Sequence, residues 1–186
     1  MQYMRLITTI VLFIAVIFIS SCNNDETTFS LAQIQNALFE MKGTYYGRMR
    51  VSYHQGDKIS EGNEYSVMSD DSLTVSMDLE SMASAIRDEN IASRLREIGV
   101  IQVKAGYEFL QMDGMYHFVL HPKDIVCLGG YGAPEILRIV FSQNFGGDAD
   151  CHNHDIMFNV SPTELWVDGK KYESFRQLVY HYEGHS

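Results

Sequence analysis

The sequence predicts a mainly β protein of the α+β type. An antiparallel sheet forms a sandwich or a partly closed barrel, with an N-terminal helix and a helical insert around 79–98. Three observations carry this reading. Apolar and polar residues alternate with period two through most of the chain after Gly43. Two Asp-Gly pairs, Asp113-Gly114 and Asp168-Gly169, separate such stretches, and this pair favours tight hairpin turns. Helical spacing of apolar residues is confined to two places. Nine or ten short strands joined by regular turns suit a sandwich or barrel.

The first helix spans Ser30 to Lys42. Ser30 can cap it, Leu31, Ile34, Leu38 and Met41 form its apolar stripe, and Gly43 stops it. The stripe reads as core packing, because the polar face lacks the basic residues of membrane-surface helices. From Gly43 the period becomes two. Tyr45, Met49, Val51 and Tyr53 share one face of a strand, and Tyr46, Arg48, Arg50 and His54 share the other. Gln55-Gly56-Asp57 turns the chain into a strand through Tyr65 and Val67. Asp70-Asp71 turns it again into Leu73, Val75 and Met77. These three strands make a meander.

The insert follows. Leu79, Met82, Ala83 and Ile86 fit one helix, and Ile91, Leu95 and Ile98 fit a second. Asp88 to Asn90 divides them and Gly99 ends the pair. Strands resume at Val100–Lys104, Tyr107–Met112 and Met115–Leu120, and Pro122 ends the last of these. Asp124–Leu128 and Ile136–Phe141 flank Gly129-Gly130-Tyr131-Gly132, which reads as a bend between strands, since it lacks the phosphate-binding GxGxxG spacing. Asn144 to Asp155 reads as a loop. Ile156–Val160 and Glu164–Val167 are short strands. Phe175–Tyr182 fits either periodicity, and its aromatic and branched residues favour a strand.

The stretch Leu6 to Cys22, LITTIVLFIAVIFISSC, sets the expected location. Arg5 supplies a positive start, an apolar run reaches Ile19, and Ser20-Ser21 gives a small-residue exit. These are the parts of a secretory signal peptide, and the run is short of the roughly 20 residues of a spanning helix. The domains expected are a signal peptide over 1–21, a flexible tether over 22–29 and one β-rich domain over 30–186. Ile19-Ser20-Ser21-Cys22 resembles the bacterial lipobox. That resemblance implies diacylglycerol on the Cys22 sulfur, cleavage before it and acylation of the new amino group. Two or more acyl chains hold a protein stably where one is marginal. The expected location is the outer membrane, with the domain lipid-anchored on its periplasmic or extracellular face.

The formal net charge is −10, and loss of Arg5 makes the mature chain more negative still. Nucleic acid is thereby excluded as an expected partner, because binding it needs concentrated Lys and Arg. The expected partners are the membrane, through the acyl chains on Cys22, and an envelope protein or small ligand. Beyond Cys22 there are two cysteines, Cys127 and Cys151, and an exported chain makes them a candidate disulfide.

One loop gathers ligand-type residues. His152 and His154 would point to one side of an extended segment, with Asp148, Asp150 and Asp155 nearby. Such a set could hold a divalent ion such as zinc, although HExxH and CxxC patterns are lacking. A solvated surface loop is the plainer reading. His117 and His121 alternate with Phe118 and Leu120 and belong on the outer face of a strand. His181 and His185 lie at the chain end, where fraying is normal. No GxSxG motif occurs, and no catalytic set can be assembled from spacing.

The tether, the helix ending in Lys42-Gly43-Thr44-Tyr45-Tyr46-Gly47, the meander and Leu165-Trp166-Val167-Asp168-Gly169-Lys170-Lys171-Tyr172 look like uncharacterised Bacteroides lipoproteins. The resemblance is to the family called domain of unknown function 4840, from the first helix to the end. It carries over no catalytic or binding residue. The Gly-Thr-Tyr-Tyr-Gly opening is more loosely similar to calycin-like lipoproteins with antiparallel barrels. Asp25-Glu26 resembles the acidic export signal of surface lipoproteins of Bacteroidetes, which implies display on the outer leaflet. The function expected is a non-catalytic ligand- or partner-binding domain. The alternatives are an envelope hydrolase or metal-dependent enzyme using the 148–155 loop, and a structural accessory subunit of an outer-membrane complex.

Overall fold

A computed structural model describes residues 29–128 and 135–186. The signal peptide, Cys22, most of the tether and the bend at Gly129 to Gly132 lie outside the described residues.

The first helix, α1 (Leu31–Glu40), starts as its sequence dictates. The Ser30 hydroxyl accepts the Gln33 N–H, and the Gln33 side chain reaches back to the Ser30 N–H, a complete capping box. Ala37 and Met41 are buried, and Ile34 and Leu38 pack against the core. Leu31 departs from the expected stripe and stands 70% exposed.

Eight strands then close a barrel in the order β1-β12-β9-β8-β5-β4-β3-β2. They are β1 (Gly43–Tyr53), β2 (Lys58–Ser69), β3 (Leu73–Asp78), β4 (Val100–Asp113), β5 (Met115–Pro122), β8 (Gly146–Asp150), β9 (Asp155–Val160) and β12 (Leu178–His185). All neighbours are antiparallel, and the last strand pairs with the first from Tyr46↔His185 to Tyr53↔Leu178. A separate four-stranded sheet, ordered β11-β10-β7-β6, is inserted between barrel strands. It consists of β6 (Ile125–Leu128), β7 (Glu135–Phe141), β10 (Pro162–Val167) and β11 (Lys170–Lys171).

The helical insert divides as expected into α2 (Glu80–Ser84) and α3 (Glu89–Ile98). The Asp88 carboxylate caps α3 by accepting the Asn90 and Ile91 N–H groups, and Gly99, at φ 71°, ends it. The insert leaves the barrel intact, because β3 and β4 still pair from Leu73↔Ala105 to Asp78↔Val100. It sits at one end of the barrel together with the four-stranded sheet. Arg94 of α3 reaches Asp168, in the turn between β10 and β11, at 2.9 Å. The other end carries α1, the turns at 70–72, 113–114 and 151–154, and the C-terminus. There the Tyr45 hydroxyl donates to the Met41 carbonyl and ties the helix to the first strand.

Two strand expectations change. Val100–Lys104 and Tyr107–Met112 are one continuous strand, β4, with its irregularity near Phe109 and Gln111. The expected loop of 144–155 contains barrel strand β8, whose sequence Gly-Gly-Asp-Ala-Asp reads as a turn. Its glycines answer a steric demand. A Cβ on Gly147 would lie 1.9 Å from the Met157 carbonyl oxygen and 2.6 Å from the Phe158 Cβ, and one on Gly146 would lie 1.9 Å from the Phe118 carbonyl oxygen. The strand can seat between β5 and β9 only because these positions lack side chains.

Inward-pointing residues fill the barrel. Val67, Leu73, Val75, Met77, Val103, Leu120, Phe158, Tyr180 and Tyr182 are all at most 1% exposed. Inside, the Tyr182 hydroxyl donates to the Tyr45 carbonyl at 2.9 Å, and Tyr107 and Ser69 share a 2.7 Å hydrogen bond. The buried Tyr180 hydroxyl has no partner among the described residues. Burial pushes Tyr45 and Tyr182 up to about 12, and Tyr107 and Tyr180 higher still.

Two outcomes follow from this packing. Gly147→Ala should cost about 3 kcal/mol, at the upper end for an overpacked site, measured by urea unfolding. The buried tyrosines hold their protons in the folded state well above the ordinary value of about 10. Their contribution to stability is therefore complete below pH 10 and is lost as pH rises toward 12. Ultraviolet titration should show phenolate absorbance arriving in a normal step and a late, cooperative step that coincides with unfolding.

Candidate functional site

Three surfaces hold the chemistry-bearing side chains. The first is the outer wall of the barrel across β1, β12, β9, β8 and β5. Register aligns Arg48, Glu183, Met157, Asp148 and His117 in one row over these strands. Within it, His117 Nδ1 bonds to the Asp148 carboxylate. On the neighbouring rows Arg50 pairs with Glu183, which also meets His181 Nε2 at 2.7 Å. His181 Nδ1 lies 2.9 Å from Asn159 Oδ1, and His185 Nδ1 lies 2.9 Å from Asp155. Hydrogen bonding to His181, with the Arg50 charge, holds the Glu183 carboxyl below its ordinary value. His181 and His185 thus belong to the closing strand, where the sequence suggested fraying. A shallow depression of about 470 Å³ crosses this wall, floored by Gly47 and Gly184.

The second surface is a groove of about 580 Å³ at the α1 end, lined by Phe39, Glu40, Met112, Tyr116, Cys151 and the two histidines His152 and His154. Tyr116 donates to the Glu40 carboxylate. Burial, then the charges of Glu40 and Asp150, pushes the Cys151 thiol up to about 11.

The ligand-type residues of 148–155 are spread over both surfaces. Asp148 faces His117 and Asp155 faces His185. Asp150 caps its own turn: it accepts the His152 and Asn153 N–H groups at 3.0 Å and the Asn153 side chain at 2.7 Å. Those bonds lower its carboxyl from the ordinary value. His152 and His154 are exposed, and the His154 backbone is left-handed at φ 57°. Among the described residues no three His, Cys, Asp or Glu side chains converge as metal ligands. Asp148 and Asp155 are drawn to neighbours across the sheet and Asp150 to its own turn, while His152 and His154 stand exposed in the turn 151–154, so among the described residues the five form no such ligand set.

The candidate Cys127–Cys151 bridge is not formed, and both thiols are free. Cys127 lies on β6 at the insert end and Cys151 in the turn at the α1 end. The barrel's length separates them, well beyond the roughly 7 Å that a disulfide spans.

The third surface is the outer face of the four-stranded sheet. Leu137, Ile139, Phe141 and Leu165 point inward and are buried. The outward row runs Val126, Arg138, Trp166, Lys171 across all four strands. Trp166, the only tryptophan, donates its indole N–H to Glu164 at 2.9 Å. Lys171 meets the same carboxylate at 2.6 Å, and Arg138 meets Asp124 at 2.6 Å. On edge strand β6, Val126 and Leu128 are 48% and 65% exposed. No single stretch of sequence contains this row, because the pairing of β6 with β7 and β7 with β10 is not local.

Among the described residues no serine, threonine or cysteine side chain bonds to an imidazole. Compared with family models, curated proteins and solved structures, the chain matches none. The class that the fold defines is a mainly β protein built on an eight-stranded antiparallel barrel.

Half-buried thiols with raised pKa values make poor nucleophiles at neutral pH. Native protein at pH 7.5 should react slowly with Ellman's reagent, and urea should release Cys127 and Cys151 together without added reductant. Release that needs reductant would mean a bridged pair.

Proposed function

We propose that this chain is a lipid-anchored envelope lipoprotein whose barrel carries a non-catalytic partner-binding face. Acyl chains on Cys22 hold it to the outer membrane, with the domain on the periplasmic or extracellular side. The apolar run ending in Ile19-Ser20-Ser21-Cys22 supports the anchor. The acidic balance supports it too, since a net charge of −10 cannot adhere to anionic lipid unaided.

The row Val126–Arg138–Trp166–Lys171 is the observation that carries the binding reading. Tryptophan and arginine on a rigid sheet, beside exposed aliphatic residues, have the composition of interface hot spots. The filled barrel favours recognition on its outer surface over storage of a ligand inside. The dispersal of the 148–155 side chains weighs against the hydrolase or metal-enzyme alternative. A second reading, an accessory subunit of an outer-membrane complex, draws on edge strand β6, whose apolar side chains and outer backbone edge suit permanent burial.

Labelling cells with an alkynyl fatty acid should mark the protein, and Cys22→Ser should abolish both the mark and its sedimentation with membranes. Pull-down of the acylated protein should enrich a partner. Trp166→Ala should weaken its retention about tenfold or more, as for a hot-spot residue, without loss of the β-sheet signal in the far-ultraviolet circular dichroism. Equal retention by the variant would reject this face.

A further inference from the structure

We infer that the α1 end of the barrel rests on the bilayer, with Leu31 and Phe39 entering the headgroup boundary. The inference rests on the lipoprotein reading, and it adds the orientation of the domain and a second contact with lipid.

The exposure pattern of α1 is the first ground. Leu31 and Phe39 are 70% and 76% exposed, although Ala37 and Met41 on the opposite side are buried. They stand two turns apart on the flank that also bears Gln35. Phe39 forms a ridge between the Tyr116 groove and a smaller depression lined by Gln35, Leu38, Lys42, Asp70 and Asp71.

Charge is the second. The sequence of α1, Leu-Ala-Gln-Ile-Gln-Asn-Ala-Leu-Phe-Glu, has Glu40 as its one ionisable residue. By contrast α3, of equal length, carries Glu89, Arg94, Arg96 and Glu97. Glu40 is bonded to Tyr116 and Asn36, and nearby Asp70 is paired with Lys42 at 2.8 Å. The end is therefore acidic: Lys42 neutralises Asp70, and Glu40 keeps its charge while hydrogen-bonded to two neutral groups. It suits zwitterionic headgroups and would be repelled by anionic ones. The Lys and Arg usual on interfacial helices supply attraction. A covalent anchor removes the need for it.

The third ground is reach. Cys22 precedes Leu31 by nine residues. Fully extended, they span roughly 30 Å. The α1 end is the end the tether enters, so it can meet the bilayer with the tether slack. Inverting the domain would draw the same tether along the barrel wall past strands of about 25 Å.

The test uses acylated full-length protein in phosphatidylcholine vesicles brominated along the acyl chains. Trp166 sits in the four-stranded sheet at the opposite end, so the wild type reports on that end. The double variants Phe39→Trp with Trp166→Phe, and Leu31→Trp with Trp166→Phe, report on the α1 end. Both positions are exposed, so the fold should tolerate either change. The expected result is blue-shifted, bromine-quenched emission from both variants, strongest with bromines near the headgroup, and unquenched emission from the wild type. Unquenched emission from both variants, in protein that floats with the vesicles, would overturn the inference and leave the anchor standing. That outcome would point to a protein partner for Phe39. Quenching of wild-type Trp166 would overturn it by reversing the orientation. Protein that carries no acyl chain and fails to float would overturn the anchor and this inference together.

Discussion

Everything in this structure depends on the pairing of the first strand with the last. β1 and β12 run together from Tyr46↔His185 to Tyr53↔Leu178, and this pairing converts a curled sheet into a barrel. An open eight-stranded sheet would present two rows of unpaired backbone groups, and closure removes both. Closure also fixes the interior. At eight strands the lumen is just wide enough for side chains to fill. Met49 and Val51 from one end of the sequence are buried with Tyr180 and Tyr182 from the other. The Tyr182 hydroxyl then bonds to the Tyr45 carbonyl across that seam.

Much of the scaffold is legible in the sequence, because its signals are local. The Ser30 cap, the alternation of Leu73, Val75 and Met77, the Asp113-Gly114 turn and the Gly99 stop each specify their own neighbourhood. The strand choice for the final segment holds in type for the same reason, with Leu178, Tyr180 and Tyr182 buried in alternation, although the strand begins at Leu178 rather than Phe175 and runs on to His185. Failures fall where geometry is set by distant residues. β8 reads as a loop because Gly146 and Gly147 carry no β signal of their own. Their need is created by Phe118 and Met157, whose backbones crowd them. Closure of the sheet is equally invisible, since nothing local in β1 announces β12.

The surfaces obey the same division. Alternation places His117 and His121 on the outside, and the structure has them there, bonded to Asp148 and Glu108. Which carboxylate each imidazole meets depends on register. Spacing drew His152, His154 and three aspartates into one cluster, whereas strand pairing carries Asp148 to His117 and Asp155 to His185, Asp150 caps its own turn, and the two histidines stay exposed. A run of ligand-type residues says little about convergence until its neighbours across the sheet are known. The outward row through Trp166 makes the converse point, because four strands contribute one residue each and no window of sequence contains them.

The two ends of the barrel are built from different material, and this asymmetry constrains any role the domain has. One end is closed by a single nearly uncharged helix, α1, joined to the barrel through the Tyr45 hydroxyl. The other is extended by two helices and an open sheet, which meet at the exposed ion pair of Arg94 and Asp168. The insertions fall at strand connections of that end only: between β3 and β4, β5 and β8, and β9 and β12. An up-and-down barrel tolerates insertions there without disturbing its ladders, since the strands flanking each insertion still meet or find other partners. Short turns at the α1 end leave no room for comparable elaboration. A domain with a plain end at α1 and an elaborated end opposite is polar along its axis. If Cys22 holds that plain end at a bilayer, the sheet bearing Trp166 faces away from it, standing off by about the length of the barrel.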